Sequence, residues 1–149
     1  MVSSVVLCVL LSSLCAGKDA PDLSLRLREV EAVKEDSSEK TYDRDCSTIK
    51  DALDDLPFNR FSMLSDKKLT LTADKESRVP LAAAYVLSLN YEGVDESGRA
   101  RLQVGVELAG SAPAKKVVET VLLLAPNKKA RICGLRQDKG ELVLVFSTP

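Results

Sequence analysis

A chain of 149 residues that is 45% hydrophobic and 29% charged can build one domain with a real core, and its apolar content excludes a disordered chain. Its 21 basic residues nearly balance 22 acidic ones, leaving a formal net charge of −1; so close a balance supplies no long-range field, and no nucleic acid is expected as a partner. There is no histidine, which removes Ser-His and Cys-His nucleophile pairs, the commonest zinc ligand and the usual proton shuttle near neutral pH.

The chain opens with a short apolar run, Val5 to Leu14 (VVLCVLLSSL), followed by the small residues Cys15, Ala16 and Gly17. The run is about half of the roughly 20 residues a membrane-spanning helix needs. It suits the apolar centre of a signal peptide, with 1–17 removed after Gly17 and 18–149 left as a single mostly β domain. The expected location is therefore outside the cytosol, periplasmic or extracellular. No Lys or Arg precedes the run, a departure from the usual basic start. A lipid anchor at Cys15 fits poorly, because Leu14 precedes it and Ser12 lies three places back. No later stretch is apolar for long enough to span, so the mature chain is expected to carry no transmembrane segment.

Loss of the signal would leave Cys46 and Cys133. In an oxidising compartment they are a candidate disulfide, which would stabilise by something on the order of 4 kcal/mol through the long loop it closes. The alternative is two free thiols, with Cys46 serving as a small hydrophobe on a helix face.

Leu23 to Val33 begins with Leu23, Leu25 and Leu27 alternating with Ser24, Arg26 and Arg28, the period-two pattern of a half-buried strand. Lys34 to Asp45 is charged and aperiodic and reads as a loop. Asp45 or Ser47 then caps a helix of about three turns. Cys46, Ile49, Leu53 and Leu56 form its apolar face, Lys50, Asp51, Asp54 and Asp55 face outward, and Pro57 ends it.

Strands are predicted over Phe58 to Leu64, Leu69 to Ala73, Arg78 to Leu81 and Tyr85 to Tyr91. After the turn Asp95-Glu96-Ser97-Gly98, Ala100 to Leu108 is the longest strict alternation in the chain. Strands at Val117 to Leu124 and Ala130 to Cys133 follow. Asp138-Lys139-Gly140 then turns into a last strand whose Leu142 to Phe146 are apolar on both faces. The fold class is mainly β: an antiparallel sandwich or partly open barrel of seven or eight strands, with one short helix near the start of the mature chain.

Little chemistry is written on these elements. No Gly-rich phosphate loop or calcium-binding loop occurs, and no cofactor or metal site is expected. Carboxylate catalysis would need two carboxyls across a cleft. Asp43 and Asp45 lie in a loop, and Asp54 and Asp55 on a solvent face, so none is assigned a catalytic role and an enzyme is not expected. Sugar binding would need exposed aromatic rings; only Tyr42 is placed on a loop. The polar face of the longest alternating strand, Arg99, Arg101, Gln103 and Glu107, is the candidate interaction face.

The order of features, with DRDCSTIKDAL leading to Leu56-Pro57-Phe58, Phe61, Met63-Leu64 and a closing Asp138-Lys139-Gly140-Glu141-Leu142 hairpin, resembles an uncharacterised family of small exported bacterial β-sandwich proteins. That family's closing strand often follows a Gly-Gly pair, where this chain has Cys133-Gly134. The resemblance implies export and a β-sandwich, with no activity attached. The expected function is a non-catalytic domain acting through protein–protein contacts, as an accessory component of a cell-envelope assembly. A ligand- or carbohydrate-binding module is the alternative, and a carboxylate-dependent hydrolase the third.

Overall fold

The computed structural model describes residues 21–149. The proposed signal peptide over 1–17, its cleavage point and Cys8 and Cys15 lie outside the described residues. Nine strands form two sheets: β1 Leu23–Val33, β2 Thr41–Tyr42, β3 Arg60–Leu71, β4 Glu76–Pro80, β5 Tyr85–Val94, β6 Ala100–Leu108, β7 Lys115–Leu124, β8 Lys129–Gln137 and β9 Gly140–Ser147. The first sheet runs β2-β3-β1-β9-β8 and the second β4-β5-β6-β7. All neighbours pair antiparallel except the two-residue β2, which lies parallel to β3. The architecture is thus a two-sheet sandwich and not a closed barrel.

Alternation of apolar side chains explains the packing. Leu25, Leu27, Leu71, Leu142, Leu144 and Phe146 of the first sheet meet Leu87, Leu89, Tyr91, Leu102, Val104 and Val106 of the second in one core. Burying each such side chain stabilises by roughly 1.5–3 kcal/mol. Strand β9 is buried from Leu142 to Phe146, on both faces, as its unbroken apolar run predicts. Its even positions enter the core, while Val143 and Val145 point to the outer side of the sheet, into a second cluster.

That second cluster is the work of the segment after β2. Cys46, Ile49, Leu53 and Leu56 pack over Val30, Ala32, Phe61, Val143 and Val145. The segment differs from the expected helix. Residues Arg44–Ala52 wind as a 3₁₀ helix that departs from helical geometry at Ile49. With three residues per turn, Cys46, Ile49 and Ala52 stack along one side, which suits a short element lying flat on a sheet. The cap differs too: Asp43 holds the N-terminal position, without a side-chain cap. Its amide donates to the Phe61 carbonyl at 2.8 Å and its carboxylate accepts from the Met63 amide at 3.3 Å, so β3 fixes the start.

Two further expectations are corrected. The strands expected over Phe58 to Leu64 and Leu69 to Ala73 are fused into one twelve-residue strand, β3 Arg60–Leu71, kept continuous by its pairing with β1. The pairing absorbs an irregularity between Glu29 and Val30, opposite Leu64. The loop before the 3₁₀ segment also carries the short strand β2, because Thr41 and Tyr42 reach back to Arg60 and Phe61. The closing hairpin follows the sequence. Gly140 is required there by close approach, since a Cβ would sit 2.0 Å from the Ala32 carbonyl oxygen.

A buried acid ties the two sheets at one end. Glu29 is 1% exposed. Its Oε1 accepts the Ala82 amide at 2.7 Å, and Oε2 lies 3.4 Å from Lys67 Nζ, which itself donates to the Pro80 carbonyl at 3.0 Å. Replacing Glu29 with Ala is expected to cost about 1–3 kcal/mol through the orphaned amide, with Glu29→Gln losing less because it keeps an acceptor. Urea unfolding checks this, and equal losses for the two variants would contradict it.

Two ion pairs hold the 3₁₀ segment to β8. Lys129 Nζ lies 3.1 Å from both Asp51 oxygens, and Arg131 Nη2 donates to Asp55 at 2.7 Å while Nη1 donates to the Ala52 carbonyl at 2.8 Å. The hydrogen bond from Arg131 is the main reason the Asp55 carboxyl is held down to about 2. Since the folded value is depressed, this stabilisation is complete above about pH 4, the unfolded value, and fades as pH falls through about 2. The 3₁₀ segment is expected to loosen in that window before the core unfolds. Amide exchange of Cys46 and Leu53, followed from pH 4 to 2, should rise ahead of Leu87 and Leu102; a simultaneous rise would contradict this order.

Candidate functional site

The outer face of the five-stranded sheet is covered along only part of its length. On β1 the outward positions are Ser24, Arg26, Arg28, Val30 and Ala32. The last two lie beneath the 3₁₀ segment, and the first three remain outside it. Strand pairing brings basic residues from distant parts of the chain beside them. Lys68 on β3 stands opposite Arg26, Ser147 on β9 flanks Arg26 on the other side, and Lys129 on β8 stands opposite Ser147. With Lys128 and Thr148 at the rim, they line an open cleft of about 450 Å³.

Arg28 lies at the bottom of this cleft and is 5% exposed. Arg26 monopolises the nearest carboxylate, donating from Nε and Nη2 to the two oxygens of Asp66 at 2.8 and 2.6 Å. That hydrogen bond is the main cause that holds the Asp66 carboxyl below its ordinary range. Arg28 Nε is left 3.7 Å from Asp66, buried and without a hydrogen-bond partner, and Nη1 makes one long bond of 3.4 Å to the Ser147 hydroxyl. Burial first, and then the adjacent Arg26 charge, push the Arg28 guanidinium down from its ordinary value. It remains a cation near neutral pH all the same. A buried, half-satisfied guanidinium is costly, and such groups gather where a protein binds something.

Around it the charges do not cancel. Arg26 is matched by Asp66 and Lys129 by Asp51. Among the described residues Lys68 and Lys128 join no ion pair, and Arg28 shares only the distant edge of Asp66. The near-zero net charge of the chain conceals this local surplus.

The residues singled out from sequence lie elsewhere. Arg101, Gln103 and Glu107 do share the outer face of β6, on the opposite sheet, and Arg99 lies in the turn before it. Arg101 and Gln103 converge on Glu92, Arg99 pairs with Asp95 at 2.9 Å and Glu107 with Arg78 at 2.9 Å. Each charge on that face therefore already has an internal partner. Beside it runs a polar groove of about 390 Å³ over Ser88, Asn90 and Gly105, in which Asn90 Oδ1 is buried without a partner.

The four acids do not form a facing pair. Asp43 is bound to the Met63 amide, Asp54 accepts the Tyr42 hydroxyl, Asp55 is held by Arg131, and Asp45 is exposed. Tyr42 is not a free platform either: its ring stacks on Phe61 at 5.1 Å with Lys50 above it. Burial, followed by its contact with Asp54, pushes its hydroxyl up to about 12. Cys46 and Cys133 stand as free thiols. Cys46 leans on the Phe61 carbonyl of β3, while Cys133 is on β8, at the edge of the sheet. Among the described residues no three His, Cys, Asp or Glu side chains converge on a metal position, and no helix is long and apolar enough to cross a membrane.

No protein-family model matches the chain, nor does any curated protein or solved structure.

Arg26 and Lys68 face each other directly across β1 and β3, an arrangement that destabilises a sheet by a few tenths of a kcal/mol up to about 1. Lys68→Gln is therefore expected to stabilise the domain by about 0.3–0.5 kcal/mol at low salt, with the gain shrinking as salt screens the repulsion. Urea denaturation at two ionic strengths tests it; a variant less stable than the parent at low salt would show that Lys68 has a partner of its own.

Proposed function

We propose that the protein is an exported, non-catalytic binding domain whose working surface is the cationic cleft, and that it acts by holding an anionic group presented by its partner. The observation that carries this reading is Arg28, buried in an open cleft with its Nε without a hydrogen-bond partner, and beside it Lys68 and Lys128, which join no ion pair among the described residues. A side chain with only a structural role would be expected to have its donors satisfied. An accessory part of an envelope assembly fits this reading, because such a part works by contact. The stacked, covered ring of Tyr42 gives no support to sugar binding by aromatic stacking.

A second reading has one observation of its own. The groove on the four-stranded sheet contains the unpartnered Asn90 Oδ1 beside Ser88 and Gln103, which suits a small polar ligand with a hydrogen-bond donor. It lacks the charge surplus of the cleft and ranks below it.

A ligand that binds only the folded state raises the melting temperature. Small anions at millimolar concentration and low ionic strength are expected to raise the melting temperature of the parent protein, and neutral analogues of the same size to leave it unchanged. Arg28→Gln should remove the shift, and Arg101→Gln on the opposite sheet should keep it. Equal shifts in parent and Arg28→Gln would move the site away from the cleft.

A further inference from the structure

The cleft also specifies which anion it suits. Its donors approach from different directions: the Arg28 guanidinium from below, Lys68 from β3, Lys128 from the turn before β8, and the Ser147 hydroxyl from β9. A single carboxylate is planar, with two oxygens and one charge. The fork of one arginine satisfies it, which would leave both lysines uncompensated. A phosphate monoester has three terminal oxygens on a tetrahedral centre and close to two negative charges at neutral pH. A sulfate ester has the same shape and one charge. Three cations without full partners, arranged in three dimensions, match the phosphate in both shape and charge.

We propose that the cleft is a binding site for a phosphate monoester in its dianionic form, seated on Arg28 between Lys68 and Lys128. This rests on the anion-binding reading above and adds the chemical class. The same chemistry is offered by a soluble phosphorylated compound and by a lipid headgroup that ends in a phosphate monoester.

The charges that face this position give an unusually clean test. They are Arg26 and Arg28 on β1, Asp66 and Lys68 on β3, Lys128 and Lys129 around the start of β8, Asp51 on the 3₁₀ segment, and the carboxylate of Pro149, which also lines the cleft. The chain has no histidine, and Asp51 and Asp66 are both held below the ordinary carboxylate range by their basic partners. The carboxylates of Asp51 and Asp66 therefore keep their charge between pH 5 and pH 7. Any change in affinity over that range comes from the ligand, and a phosphate monoester takes up its second charge near pH 6.

Calorimetric titration of the full chain with methyl phosphate, methyl sulfate and acetate, at low salt and at pH 5 and 7, decides the matter. Methyl phosphate is expected to bind about tenfold more tightly at pH 7 than at pH 5, following its own second ionisation. Methyl sulfate should bind more weakly and equally at both values. Arg28→Gln should abolish binding. Lys68→Gln and Lys128→Gln alter exposed side chains and leave the fold intact, so their loss of several-fold affinity keeps the test sound if Arg28→Gln fails to fold.

Vesicles of phosphatidylcholine with and without phosphatidic acid separate the sources. Pelleting that needs phosphatidic acid and Lys68 assigns a lipid headgroup, whereas methyl phosphate binding without pelleting assigns a soluble monoester. Equal, pH-independent affinity for methyl phosphate and methyl sulfate would overturn the phosphate assignment and leave an anion site standing. Failure of all three anions to bind would overturn the anion reading itself.

Discussion

The contact between the 3₁₀ segment and one half of the five-stranded sheet decides the character of this molecule. Cys46, Ile49 and Leu53 lie on Val30, Ala32, Val143 and Val145, so an outer sheet face that would otherwise be wet becomes a second, smaller core. The segment is anchored at both ends, by Asp43 to β3 and by Asp51 and Asp55 to β8. Because it is short, it covers only part of the strands' length. Beyond its edge the same face continues as Arg28, Arg26 and Ser24, which line the cleft together with residues of β3, β8 and β9.

Electrostatics then separate the two outer faces of the sandwich. On the four-stranded sheet every charged side chain of the candidate face is matched by a neighbour. On the five-stranded sheet arginine faces lysine across β1 and β3, and a second arginine is buried with its Nε unpaired. Like charges placed opposite one another and half-satisfied buried cations oppose folding. A sequence that tolerates both in one place has been shaped by something other than stability.

Much of the fold was legible in the sequence, and the reasons are local. Period-two runs in β5 and β6, the unbroken apolar run of β9, Pro57 after the 3₁₀ segment, and the turns at Asp95–Gly98 and Asp138–Gly140 act over a few residues, so they can be read one at a time. The fusion of two predicted strands into β3 and the tight winding of the segment over Cys46 and Ile49 were set by what each packs against, which local pattern does not reveal. The cleft was hidden for a stronger reason. Arg28 and Ser147 are 119 residues apart, and Arg26 and Asp66 are 40 apart. They meet only because β1 lies between β3 and β9. One signal was nonetheless present. Along β1 the apolar phase reverses, from Leu23, Leu25 and Leu27 on one face to Val30 and Ala32 on the other, and such a reversal marks a strand whose outer side is covered over half its length. Lys67-Lys68 on β3 and Lys128-Lys129 at the start of β8 were the accompanying hint, invisible without the strand order that sets β1 and β9 between them.

On the proposed reading the cleft at Arg28, and no other surface, receives an anion. The most direct measurement is the side-chain Nε–Hε resonance of Arg28, followed by nuclear magnetic resonance during a titration with phosphate. This signal is expected to move in step with the backbone amides of Lys68, Lys128, Ser147 and Thr148, while those of Ser88, Asn90 and Gln103 stay in place. An unmoved Arg28 signal, with the perturbation centred on the four-stranded sheet, would contradict it.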